Sequence, residues 1–309
     1  MQFTKLMPVA ALLTGATVWG LIWFPFRALD SSGVSGQEAV TITYLCALVL
    51  GALLYRRELG MARCSWTLAG IALTAGWANV GFMLGAVYGD VMRVVLLFYL
   101  APAWTVLFAR LLLDETLSRI GCGLMAIAFA GALIVLWQPQ MGWPFPRSTA
   151  EWCGLSAGVA FALSNVLARR ASQVPISLKV LAVFAGGVFF GAIATAATHA
   201  GRPLFAWTSS AGLTGLLLLL SLVMLCVNVA VQFGLSRIAA NRAIVIYLFE
   251  LVVTAVSTWL LLDEVLTLRE WCGGAMIVVA GLYSDRMSTQ AGPRADSSAR
   301  CAAPATNRD

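Results

Sequence analysis

The sequence reads WANVGFMLGAVYGDVMRVVLLFYLAPAWTVLFARLLLDETL over residues 77–117, and it reads CVNVAVQFGLSRIAANRAIVIYLFELVVTAVSTWLLLDEVL over residues 226–266. The two stretches match at one constant spacing, which pairs Asn79 with Asn228 and aligns the LLDE segment near the end of each. Leucine matches arise by chance in an apolar sequence, but asparagine and Asp-Glu in one register do not. The chain therefore contains an internal repeat.

The repeat extends beyond these stretches in both directions. After a shift of one residue the match resumes with Cys122-Gly123 against Cys272-Gly273. Nearer the start of the chain, Trp19 aligns with Phe161 and Arg27 with Arg169. The duplication thus predicts three regions: a first repeat at 1–147, a second repeat at 148–285, and a polar, disordered cytoplasmic tail at 286–309.

The composition places both repeats in a membrane. The chain is 60% hydrophobic and 11% charged, against roughly 45–50% and 25% in soluble domains. A spanning helix needs about 20 mostly apolar residues. The sequence divides into ten such segments, at about 8–28, 38–55, 65–86, 92–111, 119–137, 151–168, 179–199, 211–236, 242–262 and 269–285.

Five spans in each repeat have a topological consequence. Because five is odd, the second copy enters the membrane upside down relative to the first. The predicted fold is therefore all-α and polytopic, with ten transmembrane helices arranged as two inverted five-helix repeats. Such repeats can exchange conformations around one central site, so alternating access is the expected mechanism.

The distribution of basic residues fixes the orientation. With the N-terminus inside, most Lys and Arg residues are cytoplasmic, and the external ones are Arg27, Arg93, Arg147, Arg202 and Arg269. This asymmetry predicts that both termini are cytoplasmic. It also explains the net charge of +6 as topology and attraction to anionic lipid, with no need for a nucleic-acid partner.

Other chemistries find little support in the sequence. Most cysteines fall in proposed spans without metal-binding spacing, so no metal, disulfide or cofactor is predicted. Gly33-Val34-Ser35-Gly36 has the GxSG pattern of an intramembrane serine hydrolase. However, Ser35 falls in a loop and, with Glu38, is better interpreted as the capping box of a helix start, as are Ser148 with Glu151 and Thr267 with Glu270. The single histidine, His199, has no evident partner. A hydrolase therefore stays the alternative from a different class, and the chain is not predicted to be an enzyme.

Polar side chains within spans are candidate substrate ligands, because each must find a partner or line a wet cavity. Asn79 and Met83 lie one helical turn apart, as do Asn228 and Gln232, so each pair shares a face. Asn165 in the sixth span has a similar placement. For these amides, interhelical hydrogen bonding and substrate contact remain equally open.

Aromatic side chains deep in spans could line the same site. Trp19 and Trp23 share a face of the first span, and Tyr99 and Tyr247 lie near the middle of the fourth and ninth. These rings could form walls for aromatic or amphipathic ligands, although packing is the alternative. Pro102 interrupts the fourth span, and it predicts a helix kink that lines a cavity.

Glu250 is the single acidic residue deep within a predicted span. It could recognise a substrate ammonium group, or it could bind and release a proton coupled to transport. A hydrogen-bonded structural carboxyl group is the alternative.

These residues resemble the drug/metabolite transporter superfamily, specifically its ten-helix EamA-type members, over residues 8–285. The resemblance rests on Trp19-Gly20, Tyr99-Leu100-Ala101-Pro102, the Leu-Asp-Glu ends at 113–115 and 262–264, and the position of Glu250. Within the superfamily, residues 99–109 are similar to YddG-type aromatic amino acid exporters. The resemblance implies amino acid export, a cavity among spans 1–4 and 6–9, and peripheral spans 5 and 10.

We therefore expect a multi-pass exporter of amino acids, including aromatic or other apolar ones, in a bacterial inner membrane. Its partners are the small-molecule substrate and the lipid bilayer, and it is a monomer or homodimer. The rival within the same class is an exporter of cationic drugs, because an ionised Glu250 in an aromatic cage would bind a quaternary ammonium group.

Overall fold

The computed structural model describes residues 2–60, 65–137, 145–198, 211–262 and 266–287. Its regular elements within those ranges are fourteen α-helices and one short 3-10 helix at Ser284–Arg286. The helices are α1 Gln2–Leu21, α2 Trp23–Ser31, α3 Gly36–Leu54, α4 Arg56–Gly60, α5 Trp66–Tyr88, α6 Val91–Phe98, α7 Ala101–Leu113, α8 Arg119–Leu136, α9 Thr149–Arg170, α10 Ile176–Thr198, α11 Ala211–Arg237, α12 Ala240–Tyr247, α13 Phe249–Leu262 and α14 Leu268–Leu282. The all-α, polytopic fold class is confirmed.

In the part of the chain that the structure describes, nine helical segments are long and apolar enough to cross a membrane. They correspond to the first nine predicted spans. The tenth, predicted at 269–285, is α14, which has 15 residues and rises about 22 Å at about 1.5 Å per residue. That length falls short of the roughly 30 Å hydrocarbon core, because the chain leaves the α-helix at Tyr283 and turns toward the start of α8.

Side-chain caps fix where several helices begin. Ser35 and Thr267 each form a complete capping box with the glutamate three residues later, at the starts of α3 and α14. Ser148 accepts a hydrogen bond from the backbone N–H of Glu151 at the start of α9. These hydroxyl groups satisfy N–H groups that have no partner within the helix. The predicted starts of these three helices are confirmed.

Three spans are interrupted near their middles. The first breaks at Ile22 between α1 and α2, the fourth breaks at Tyr99 and Leu100 between α6 and α7, and the ninth breaks at Leu248 between α12 and α13. The breaks in the fourth and ninth spans fall at equivalent positions of the sequence repeat, and α6 and α12 each have eight residues. The two repeats thus share the position of a helix break as well as their sequence pattern.

The two halves interlock rather than lying side by side. Helix α5 packs on α9, and its repeat equivalent α11 packs on α1. In the same way α7 packs on α9, and α13 packs on α1. Each half therefore places its first span against the third and fourth spans of the other half.

Two pairs of repeat-equivalent helices pack antiparallel at small residues. Along α3 and α10, Gly191 approaches Thr41 and Gly51 approaches Leu181. Along α8 and α14, the backbones of Gly131 and Gly273 lie in contact, and Ser118 at the start of α8 donates its N–H to Met287 O, beyond the end of α14, at 3.0 Å. Small residues allow such close approach of helices in lipid.

Candidate functional site

The breaks in the fourth and ninth spans meet at one carboxyl group. The hydroxyl group of Tyr99, at the end of α6, lies close enough to Glu250, in the first turn of α13, for the two side chains to interact electrostatically. Tyr247, at the end of α12, also lies close enough to Glu250 for its hydroxyl group to interact electrostatically. Tyr99, at the break in the fourth span, and Tyr247, just before the break in the ninth span, thus both lie near the Glu250 side chain.

A chain of touching rings extends from this carboxyl group, and we call it the aromatic cluster. Tyr99 contacts Phe98 at 5.5 Å between ring centroids, Phe98 contacts Phe161 at 5.4 Å, and Phe161 contacts Tyr247 at 5.6 Å. Phe82 joins it through Phe98 at 4.8 Å. The cluster joins rings from α5, α6, α9 and α12, and its two tyrosines lie beside Glu250. Aromatic rings next to a carboxyl group favour apolar and cationic groups alike.

Glycines allow the backbones to come this close. A Cβ atom on Gly20 of α1 would lie 2.8 Å from Val253 and 2.9 Å from the carbonyl oxygen of Glu250. Gly158 of α9 likewise touches the backbone of Phe98. The positions of Glu250 and Phe98 therefore depend on glycines in the first span of each repeat, α1 and α9, because a larger side chain would not fit at either contact.

Two predicted amides carry polar atoms without a partner among the described residues. They are Nδ2 of Asn165, which is 6% exposed, and Oε1 of Gln232, which is 3% exposed. Arg169 of α9 donates to the carbonyl oxygen of Ser236 of α11 at 2.7 Å, and each amide lies one turn earlier on those same helices. An unpaired donor and an unpaired acceptor thus lie at the same level of the bundle, and buried polar atoms of this kind call for a ligand or water.

The other predicted amides make helix-packing hydrogen bonds. Asn79 accepts from the Tyr44 hydroxyl group at 2.9 Å and donates to Ala75 O at 2.8 Å. Asn228 donates to Met224 O at 3.1 Å. Met83 lies half-buried one turn after Asn79. For Asn79, both amide atoms are therefore occupied by the protein.

The two tryptophans of the first span lie on different helices, since α1 ends before Trp23. Trp19 packs among Tyr44, Phe184 and Met224. Trp23 donates from its Nε1 to Ser257 Oγ at 3.0 Å. The structure thus places both tryptophans at contacts between helices, where no ring contact joins them to the aromatic cluster.

Pro102 lies in the first turn of α7, just after the break at Tyr99 and Leu100. Proline suits that turn, because its missing N–H would have had no helical partner there. The predicted kink is therefore a local interruption at Tyr99 and Leu100, whose backbone angles stay near the helical range, and the proline lies in the first turn of the second segment.

Ion pairs attach the fourth span to α9 at both ends. At one end Glu151 pairs with Arg93 through two hydrogen bonds, of 3.0 and 3.1 Å, and accepts the N–H of Arg147 at 2.8 Å. At the other end Glu115 lies 3.5 Å from Arg169 Nε and accepts the N–H of Ala240 at 2.8 Å. The two pairs are about 27 Å apart along α9, on opposite predicted faces of the membrane.

Several of these residues were not predicted as functional. Phe98, Phe161 and Phe82 have no sequence mark beyond their apolar character, although the repeat pairs Phe161 with Trp19. Glu115 and Arg169 entered the prediction only as repeat and topology residues. Their pairing brings together side chains 54 positions apart, which one sequence alone does not reveal.

The residues of the hydrolase alternative have a structural role. Ser35 Oγ lies 3.0 Å from Glu38 Oε2 and accepts the N–H of Glu38 as the cap of α3. His199 lies outside the described residues. Across the ranges that the structure covers, no group of His, Cys, Asp and Glu side chains could hold a metal ion.

Comparison with known proteins points to a transporter. Residues 148–283, which contain α9 to α14, match the EamA-like transporter family. A solved crystal structure of a protein superposes with a TM-score of 0.71 at 16% identity, covering 89% of this chain and 95% of the other. No curated protein sequence matches the chain. The second half is thus an EamA-like transporter domain, and nearly the whole chain shares its fold with a solved structure.

Proposed function

We propose that this chain, which carries an EamA-like transporter domain in its second half, exports amino acids, preferably aromatic or other apolar ones, by alternating access. The family is a transporter family within the drug/metabolite transporter superfamily. The structure adds a candidate site where two broken helices meet.

The contact between Tyr99 and Glu250 inside the aromatic cluster carries this proposal. An ionised carboxyl group deep in a span needs a compensating partner, and the ammonium group of an amino acid supplies one. The rings of Phe98, Phe161 and Tyr247 offer apolar walls for the side chain of the same substrate. One group of residues can therefore bind both ends of an apolar amine.

Alternating access by two inverted repeats is supported by the packing. Helices α3 and α10 are repeat equivalents that run antiparallel, and so are α8 and α14. Antiparallel equivalents are what a second copy inserted upside down requires. The exchange of partners between the halves, with α5 on α9 and α11 on α1, lets each half adopt the conformation of the other.

The location we propose is a bacterial inner membrane, with both termini cytoplasmic. The charge asymmetry of the loops supports this orientation. Under it, the Glu115–Arg169 pair closes the cytoplasmic end of α9, and the Glu151–Arg93 pair lies at the external end.

The test is counterflow in proteoliposomes that contain the purified protein. Vesicles preloaded with one unlabelled amino acid should accumulate the labelled form of the same amino acid, most strongly for phenylalanine, tyrosine, leucine or methionine. Empty liposomes and the Glu250→Ala variant are the controls. Failure of every amino acid in a full panel to exchange would refute the proposal.

A second candidate is export of organic cations. The two tyrosines beside Glu250 favour it, because a carboxylate together with aromatic rings also attracts a quaternary ammonium group. The same vesicles distinguish the two candidates. Exchange of tetraphenylphosphonium or a quaternary ammonium compound, with no exchange of amino acids, would select the cation exporter.

A further inference from the structure

A polar pocket opens at the predicted cytoplasmic end of the bundle. Its volume is about 540 Å³, and it lies between the end of α9, the start of α10 and the end of α11. Its polar lining includes Arg169, Ser172, Gln173, Ser236 and Arg237. The pocket lies about one helical turn from Asn165 and Gln232, whose buried amide atoms lack partners.

Two cations line this pocket and a third is buried beside its lining residue Ser236. Arg169 and Arg237 line it, and the charges of both are close enough to act on Lys179. Lys179 lies in the first turn of α10, which begins three residues earlier, and it is completely buried. Its ammonium group reaches under the pocket, where it donates to Ser236 Oγ and to Ala168 O.

Two acidic side chains, Glu115 and Glu58, lie near these cations, and both already accept hydrogen bonds from other groups of the protein. Glu115 holds Arg169 with one oxygen and the N–H of Ala240 with the other. Glu58 of α4 accepts from Ser177 Oγ, one residue after the lining residue Ile176. The Arg237 guanidinium lies 3.9 Å from the ring of Phe233 and donates to Phe233 O at 3.4 Å, and the exposed side chain lines the pocket with no acidic partner among the described residues. The pocket therefore has a positive field that attracts an anion.

Arg169 connects the pocket, through Glu115, to the broken ninth span, which is proposed to move during transport. The Glu115 carboxyl group that it holds also caps α12, the first segment of the broken ninth span. An anion that bound Arg169 from the pocket side would compete with Glu115. Releasing Glu115 would free one oxygen of the carboxyl group whose other oxygen joins the end of the fourth span to the start of the ninth, and would loosen that connection.

We propose that this pocket is a capture site for the carboxylate group of the substrate, and that its occupation by substrate loosens the Glu115–Arg169 pair. The inference rests on the proposed export of amino acids. It separates the two ends of the substrate: the carboxylate binds first at the basic pocket, and the ammonium group later reaches Glu250. The unpaired amide atoms of Asn165 and Gln232 lie on the same two helices between these positions.

The experiment compares phenylalanine with phenethylamine, which lacks only the carboxylate. Uptake is measured in inside-out vesicles, where the predicted cytoplasmic face points outward. Arg237→Gln and Lys179→Met remove charges at the pocket, and Lys179→Met preserves an unbranched buried side chain. The matched control is Arg170→Gln, because Arg170 is exposed, carries the same charge and does not line the pocket.

We expect Arg237→Gln to raise the KM for phenylalanine roughly tenfold, as the loss of one charge-assisted hydrogen bond does, and to change kcat little. The KM for phenethylamine should stay the same in every variant. Arg170→Gln should match the wild type for both compounds. Equal KM values for phenylalanine in the wild type and both pocket variants would overturn the inference, and so would equal increases for phenylalanine and phenethylamine.

A phospholipid phosphate is the other source of an anion with this chemistry. The assay is therefore run in vesicles of phosphatidylcholine alone and with added phosphatidylglycerol. A defect of the pocket variants that appears only with phosphatidylglycerol would assign the pocket to lipid and overturn the inference. If the wild type transports phenethylamine but no amino acid, the proposed function fails, and the capture site fails with it. Phenylalanine transport with unchanged KM values overturns the capture site alone.

Discussion

The Tyr99 hydroxyl group and the Glu250 carboxyl group come from different halves of the chain and lie close enough to interact electrostatically. Each residue lies beside a break in a spanning helix, and the two breaks are equivalent in the repeat. The residues themselves are not equivalent, because Tyr99 aligns with Leu248 and Glu250 aligns with Ala101. Duplication therefore supplied the framework, and later divergence at single positions created the candidate site.

Tyr99→Phe should weaken substrate binding while the protein still folds. The variant keeps the ring contact with Phe98 but removes the hydroxyl group that lies beside the Glu250 carboxyl group. We expect the KM for phenylalanine in proteoliposomes to rise about tenfold, the effect of losing one polar interaction with a charged group. Tyr88→Phe, which removes a hydroxyl group from an exposed ring, is the control. A wild-type KM for Tyr99→Phe would mean that this hydroxyl group plays no part.

Glu250→Gln should remove the pH dependence of transport. If the ionised carboxyl group binds the substrate ammonium group, transport by the wild type falls as acid protonates Glu250. Glutamine has nearly the same shape and no titrating proton, so its low transport rate should stay flat with pH. The measurement is the initial rate of counterflow at a series of pH values imposed equally on both sides of the vesicle. A parallel pH profile in variant and wild type would exclude this role.

The two ion pairs on α9 should differ in their contribution to stability. The Arg93 and Glu151 side chains are 11% and 9% exposed and form two hydrogen bonds, whereas Arg169 and Glu115 are 30% and 19% exposed and form one longer contact. Glu151→Gln leaves a buried arginine poorly compensated and should cost about 3 kcal/mol. Glu115→Gln should cost about 1 kcal/mol or less. Unfolding in micelles of increasing SDS content measures both, and equal losses would contradict the difference in burial.

Gly20→Ala should disturb the candidate site from a distance. The added methyl group would press on Val253 and on the carbonyl oxygen of Glu250, which forces α1 and α13 apart. We expect several-fold slower counterflow and lower thermal stability. Gly123→Ala is the matched control in α8, because an added Cβ atom meets nothing there within 4 Å and alanine favours helix. Equal behaviour of the two variants would show that the close approach at Gly20 is unimportant.

The sequence predicted the framework well because lipid imposes simple rules on it. Hydrophobicity located nine of the spans, and the capping hydroxyl groups Ser35, Ser148 and Thr267 located helix starts. The same reasoning overestimated α14. It expected the chain to stay helical to residue 285, whereas contacts with Ser118 draw residues 284–287 into a 3-10 turn.

The candidate site was only partly predictable. Glu250 was conspicuous because a charge in an apolar span is rare, and its neighbours Tyr99 and Tyr247 were named with it. Phe98 and Phe161 were not predicted as site residues, since a phenylalanine facing a site and one facing lipid look alike in sequence. Sequence also does not show whether a buried polar side chain is already hydrogen-bonded. Asn79 bonds to Tyr44 and Lys179 bonds to Ser236, and both partners are distant in the chain.

The interlocking of the halves also constrains how the protein is made. Helix α1 packs on α11, where Gly15 and Gly234 allow close contact with Val231 and Leu12. The ribosome completes α11 roughly 200 residues after α1, at about 5–20 residues per second, so α1 remains in the bilayer without its final neighbour for many seconds. Its apolar surface can wait in lipid, because lipid solvates it as well as a helix does. Biogenesis of this fold is thus a late assembly of inserted helices, and a ribosome stalled before α11 would leave a membrane-embedded but unassembled chain for quality-control proteases.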